Sequence, residues 1–286
     1  MKMKNISMIR NWLLSFALAF SVTTLACAAD PEPRHVVLRN TQIVTVQSKI
    51  TGKAHELIVM LPDSYSWSPG KKYPVLYFLD AYWDVPLMSA LHGSLVYDKM
   101  MPECIMVGLS YPDGTDYSAE RVHDYTYTAM AGDAGSGKGD QFLEFIRKEA
   151  APLIETTYRA EQTNRVLVGA SLGGLFALGA ALKDPDFFNG YVAVSPAVVW
   201  DNGALFNLEE AFAKQNRPLK ARMFISAGSL EPVQFRGPIE LFEKQIETHG
   251  YKGLELQSYT VGGTDHGTVK PESYLRGLKW VWQGRH

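Results

Sequence analysis

The chain has 286 residues, 46% hydrophobic and 20% charged, with a formal net charge of −2. That composition belongs to an ordinary soluble globular protein, not to a disordered, fibrous or membrane-embedded one. A balance so close to neutral gives nucleic acid nothing to bind, and two cysteines are too few for a disulfide scaffold.

The first 28 residues stand apart. Lys2, Lys4 and Arg10 precede an apolar run from Trp12 to Leu25, which ends in Ala26-Cys27-Ala28. A basic start, an apolar middle and a small-residue end make a secretory signal peptide, cleaved after Ala28, and point to the periplasm. The apolar run is short for a membrane span, so none is expected. Acylation of Cys27 is the competing reading, although Thr24 stands where a lipoprotein site would carry leucine. Cleavage removes three positive charges, taking −2 to −5, and leaves residues 29–286 as one domain with a single cysteine, Cys104, in an apolar stretch.

In chain order, His35 to Val46 and Leu57 to Leu61 read as paired strands. Val75 to Leu79 is a wholly apolar strand, Leu87 to Val96 a helix and Cys104 to Leu109 another apolar strand. Ser110 to Gly139 reads as a long polar loop. Phe142, Phe145 and Ile146 mark a helix ending near Pro152. Val166 to Val168 is a strand, and Leu172, Leu175, Leu178 and Leu182 carry helical spacing directly after it. Tyr191 to Val194, Arg222 to Ala227 and Leu254 to Val261 are further strands. A helix over Ile239 to Ile246 is stopped by Gly250, and Pro271 opens a last helix through Val281. Apolar strands alternating with helices predict an α/β fold, a central, mostly parallel sheet of about eight strands covered on both faces. In such folds the chemistry lies at the carboxyl ends of the strands.

One of those ends reads V-L-V-G-A-S-L-G-G-L-F-A-L, residues 166 to 178, and contains G-x-S-x-G at Gly169, Ser171 and Gly173. A serine on a tight strand-to-helix turn is lifted above the sheet, and glycines relieve the crowding. A later strand end offers Ser229-Leu230-Glu231-Pro232, and a still later one Gly262-Gly263-Thr264-Asp265-His266-Gly267. Serine, acid, histidine is the order α/β-hydrolase folds use. A serine hydroxyl needs a neutral imidazole to take its proton, and the imidazole needs a carboxylate to hold its tautomer. Ser171, His266 and Glu231 are the candidates, with Asp201 and Asp265 as rival acids. Leu172 and Tyr82, with Ala81 as a second choice to Tyr82, are the candidate backbone donors for an oxyanion.

Tyr82, Trp83, Tyr125 and Trp200 lie near strand ends or in the long loop and would wall an aromatic pocket. Arg121 would pair with an anionic substrate group or with nearby Asp124. Gly132 to Gly139, G-D-A-G-S-G-K-G, falls one residue short of a phosphate-binding loop and follows no apolar strand. The sequence has no HExxH motif and no Cys/His cluster at ligand spacing, and no cofactor is expected. A non-catalytic binding module would keep the sheet but lose the serine or the histidine. The sequence carries no signal for an oligomeric state.

The chain resembles the putative-esterase family of α/β-hydrolases, which includes siderophore trilactone esterases and is related to esterase D and to feruloyl and acetylxylan esterases. The resemblance lies in Y-P-V-L-Y-F-L-D at 73 to 80, R-V-H-D-Y-T at 121 to 126, F-L-E-F-I-R-K-E at 142 to 149 and P-L-I-E-T-T-Y-R at 152 to 159. It continues through V-G-A-S-L-G-G-L-F-A-L at 168 to 178, S-P-A-V-V-W at 195 to 200 and A-G-S-L-E-P at 227 to 232. It implies Ser171 as nucleophile, His266 as base and Glu231 as acid in an esterase acting on a small-molecule ester, siderophore or carbohydrate-linked. Ala81 and Ala170 depart from the glycine and histidine that many relatives have there.

Overall fold

The computed structural model describes residues 37–284; the signal-peptide reading of residues 1–28 and Cys27 lies outside them. Eight strands form one sheet in the order β1-β2-β4-β3-β5-β6-β7-β8. β1 (Thr41–Gln47), β2 (Ala54–Met60) and β4 (Ile105–Ser110) pair antiparallel at one edge. β3 (Tyr73–Phe78), β5 (Ala160–Ala170), β6 (Gly190–Val194), β7 (Arg222–Gly228) and β8 (Glu255–Val261) run parallel with each other and with β4.

The period-two alternation of a strand sends neighbouring side chains to opposite faces, and the core divides accordingly. Tyr77, Leu167, Ala193 and Ile225 join one apolar cluster; Leu76, Val166, Val192 and Phe224 join the other. The second cluster is roofed by α1 (Ala81–Tyr97) and α8 (Lys270–Trp282). The first is covered by the remaining helices: α2 (Tyr117–Tyr125), α3 (Gly139–Phe145), α4 (Ala151–Thr157), α5 (Leu172–Lys183), α6 (Trp200–Ala213) and α7 (Val233–His249). Among the described residues no helix is long and apolar enough to cross a membrane. Cys104 is buried, and burial pushes its thiol well above the usual range, as its apolar setting predicts.

Three expectations are corrected. The segment 110–139 is not all loop: Asp116 accepts the Ala119 N–H at 3.1 Å and caps α2. The helix expected to end near Pro152 continues to Thr157, because a π-turn over Ile146–Ala150 places the proline in the first turn of α4. The sequence reading also overlooked α6, whose start is disguised by left-handed backbone at Asp201, Asn202 and Gly203.

A Cβ at Gly169 would lie 2.3 Å from the Gly173 carbonyl oxygen, whereas one at Gly262 would meet nothing. Gly169→Ala is therefore expected to lose about 1–3 kcal/mol of stability, and Gly262→Ala to lose little. Urea unfolding of both variants checks this; equal midpoints would show that the turn can relax.

Candidate active site

Ser171 sits at φ 58° and ψ −118°, between the end of β5 and the first turn of α5. Its N–H donates to the Val194 carbonyl at 2.9 Å, and its own carbonyl accepts from Ala197 at 2.9 Å. Gly173 and Gly174 let the neighbouring loops close in. A Cβ at Gly173 would lie 3.3 Å from Leu79, and one at Gly174 would lie 3.0 Å from Pro196 Cα.

The histidine loop rests directly on the end of β7. A Cβ at Gly228 would come within 2.5 Å of the Thr264 carbonyl oxygen. Leu230 donates its N–H to that same oxygen at 2.9 Å, and Gly263 donates to Ser229 Oγ at 2.8 Å. This stitching brings His266 Nδ1 within 2.6 Å of Glu231 Oε1. Glu231 is buried, and its other oxygen accepts from the Gly228 N–H at 2.7 Å and from Ser195 Oγ at 2.9 Å. The His266 side chain remains 45% exposed, with the Phe235 ring edge-on at 4.9 Å.

The rival acids do other things. Asp265 turns back to accept the His266 backbone N–H at 2.8 Å, and Asp201 belongs to the left-handed start of α6. Of the three carboxylates, the imidazole is paired with Glu231. Ser171 Oγ makes no hydrogen bond among the described residues; such contacts are often open in unliganded sites. Sequence reasoning missed Ser195 and Phe235. Ser195 was visible as the residue after β6, but nothing marked it as a partner of Glu231.

Leu172 and Tyr82 occupy the first turns of α5 and α1, where a backbone N–H has no intrahelical partner. The carbonyl four residues before Leu172, that of Val168, is already taken by the Leu79 N–H at 3.0 Å. Contact between Gly173 and the Leu79–Asp80 turn keeps the two helix starts together.

Arg121 pairs with neither a free site nor Asp124. Its Nε and Nη2 grip both oxygens of buried Asp80 at 2.9 and 2.8 Å. Asp80 is the left-handed residue, φ 54°, that starts α1. Asp124 is satisfied by Lys53, His123 and Tyr111. Tyr125 also needs correction: its side chain is wholly buried, and its hydroxyl accepts the Asp80 N–H at 3.3 Å, so it supports the turn and walls no pocket.

Trp83 is 56% exposed, with Arg121 and Lys270 near its ring. Lys270 is itself held by Asp84, at 2.9 and 3.2 Å. Tyr82 stacks on Tyr117 at 3.7 Å, a neighbour the sequence did not single out. Trp200 donates its indole N–H to the Thr128 carbonyl at 3.1 Å. It lines a groove of about 380 Å³ with Tyr127, Leu175 and Leu205, beginning one helical turn from Ser171.

Among the described residues, two acid–histidine clusters have ligand-like spacing, Glu120/His123/Asp124 and Glu209/Glu210/His249. The Lys53 ammonium already occupies the first, bonded to Glu120 and Asp124. In the second, Glu209 is taken up by Gln245, His249 and Tyr251. Gly132 to Gly139 follows α2, not a strand, and Gly137 is pinned by Thr126 Oγ1 at 2.7 Å.

The family model described as "Putative esterase" matches residues 48–254. The chain belongs to this family. It is similar to the ferri-bacillibactin esterase BesA of Bacillus subtilis, 24% identical over 84% of this chain and 89% of that protein. It is also similar to the uncharacterized protein YbbA of the same organism, 31% identical over 78% of this chain and 90% of that one. Among solved structures, the BES protein from Bacillus cereus superimposes with a TM-score of 0.79 at 25% identity, covering 88% of this chain and 98% of its own. The siderophore hydrolase EstB from Aspergillus nidulans has the same fold, with a TM-score of 0.78 at 21% identity over 89% and 99% of the two chains. The sheet and its helices are therefore an α/β-hydrolase fold, and the chain is an ester hydrolase.

Breaking a buried ion pair on one side leaves a stranded charge, worth about 3–5 kcal/mol. Arg121→Met should cost that much in urea unfolding, and adding Asp80→Asn should recover part of it. A variant with unchanged stability that raises KM for anionic esters alone would instead mark Arg121 as a substrate ligand.

Proposed function

We propose that the chain is an exported serine esterase that cleaves the ester bonds of a siderophore. The observation that carries the mechanism is the 2.6 Å pairing of His266 with a buried, fully hydrogen-bonded Glu231, whose partner Ser195 lies on the segment that grips the Ser171 turn. Glu231 holds the proton on Nδ1, leaving Nε2 as the base. Ser171 Oγ attacks the ester carbonyl carbon and gives its proton to Nε2. The oxyanion that forms is received by the Leu172 and Tyr82 N–H groups at two helix starts. The alcohol leaves with the proton from Nε2. Water, deprotonated by the same nitrogen, then releases the acid and restores the serine.

The siderophore substrate is supported by the similarity to a ferri-bacillibactin esterase, and the exposed Trp83 beside Tyr82 suits an aryl group. Export is supported by the residue pattern of positions 1–28. Mass spectrometry of the mature chain should find Ala29 at its start; a lipid on Cys27 would replace the soluble reading with an anchored one.

Ser171→Ala should lose on the order of a thousandfold or more in turnover and fold normally, since losing one oxygen from a half-buried turn opens no core cavity. A fluorophosphonate should label Ser171 in the wild type and label His266→Ala far more slowly. A Ser171→Ala protein with wild-type turnover would overturn the serine mechanism. Cyclic catecholate esters, feruloyl esters and acetylated sugars offered side by side identify the substrate; preference for either of the last two would overturn the siderophore assignment alone.

Glu231→Gln should lose about a hundred- to ten-thousandfold in turnover. Asp201→Asn and Asp265→Asn should lose far less. A larger loss in either aspartate variant would move the acid elsewhere.

A further inference from the structure

We infer that Ser195 is a positioning residue for hydrolysis, acting through Glu231; the inference rests on the serine-esterase reading above. Ser195 follows β6 with φ 41°, is wholly buried, and has its N–H fixed by the Ser226 carbonyl at 2.7 Å. Its hydroxyl donates to Glu231 Oε2 at 2.9 Å, on the side of the carboxylate away from His266. The only other donor to that oxygen, among the described residues, is the Gly228 N–H at 2.7 Å.

Two donors on Oε2 do two things. They replace the hydrogen bonds from water that burial removes. They also fix its rotation, so that Oε1 faces Nδ1 and holds the imidazole tautomer that leaves Nε2 free. Ser195 is well placed because its chain neighbours grip the nucleophile: Val194 accepts the Ser171 N–H, and Ala197 donates to the Ser171 carbonyl. One four-residue segment therefore references the acid and the serine to each other. Around the imidazole the facing groups are Glu231 and Phe235, with Asp265 adjoining it in the chain. A change in the imidazole's behaviour on altering Ser195 therefore has to pass through Glu231.

The test uses Ser195→Ala and Ser195→Gly. Alanine keeps the Cβ and the strained φ, while glycine relieves the strain, and both remove the hydroxyl. Both should lower kcat on the order of tenfold or more with KM little changed, and both should move the acidic limb of the kcat/KM profile to higher pH. On a Glu231→Gln background, Ser195→Ala should cost almost nothing further, because the group it serves is gone. Wild-type kcat in Ser195→Gly would overturn the proposal, and so would full multiplication of the two losses in the double variant. Ser171→Ala runs alongside: if it retains turnover, the serine reading fails and takes this proposal with it, whereas loss in Ser171→Ala with normal Ser195 variants defeats this proposal alone.

Discussion

Three adjacent parallel strands, β3, β5 and β6, each end in a non-glycine residue with positive φ: Asp80 at 54°, Ser171 at 58° and Ser195 at 41°. Such residues cost on the order of 1–3 kcal/mol each and persist only where their surroundings over-determine them. Here the surroundings are visible. Asp80 is clamped by Arg121 and by the Tyr125 hydroxyl, Ser171 is gripped from the β6 side by Val194 and Ala197, and Ser195 is tied to Ser226 and Glu231. The strained turns do different things. One sets Ser171 between β5 and α5, one starts α1, and one sends a hydroxyl to Glu231.

That strain is tolerable because the sheet beneath is rigid. Both faces of β3, β4 and β6 are buried, and helices approach so closely that a Cβ at Gly277 of α8 would lie 2.5 Å from Val192. Close-packed interiors transmit displacement rather than absorbing it. The strand ends are thus fixed relative to one another, and the loops that extend them are stitched together by backbone hydrogen bonds, as between Leu230 and Thr264. At this edge the His266 imidazole and the Trp83 ring both reach well into solvent.

Much of this was legible in the sequence, and the reasons are physical. Strand patterning and the apolar runs located the sheet, and the polar residues that follow the strands singled out Glu231 and His266, which the fold pairs at 2.6 Å. What escaped depended on contacts far apart in the chain. Arg121 was expected to meet an anionic substrate group or its sequence neighbour Asp124, but its partner is Asp80, forty-one positions away. Tyr125 was assigned to a pocket because its segment looked irregular, when Asp116 caps a helix there and turns the ring inward. The start of α6 was hidden because three left-handed residues break the helical period. Ser195 opens the S-P-A-V-V-W stretch directly after a strand, but a hydroxyl's partner is decided by tertiary structure.

The last helix has a consequence in time. Tyr274, Leu278, Val281 and Trp282 roof the face of the sheet formed by Val166, Val168, Val192 and Phe224, and Lys270 and Tyr274 tie the helix to Asp84 of α1. A ribosome delivers those residues only after every strand they cover. Until they emerge, the middle of the sheet has one bare apolar side, and α1 lacks its neighbour. However long a nascent chain pauses before α8, that face stays open to water, so its closure waits on a helix made after all eight strands.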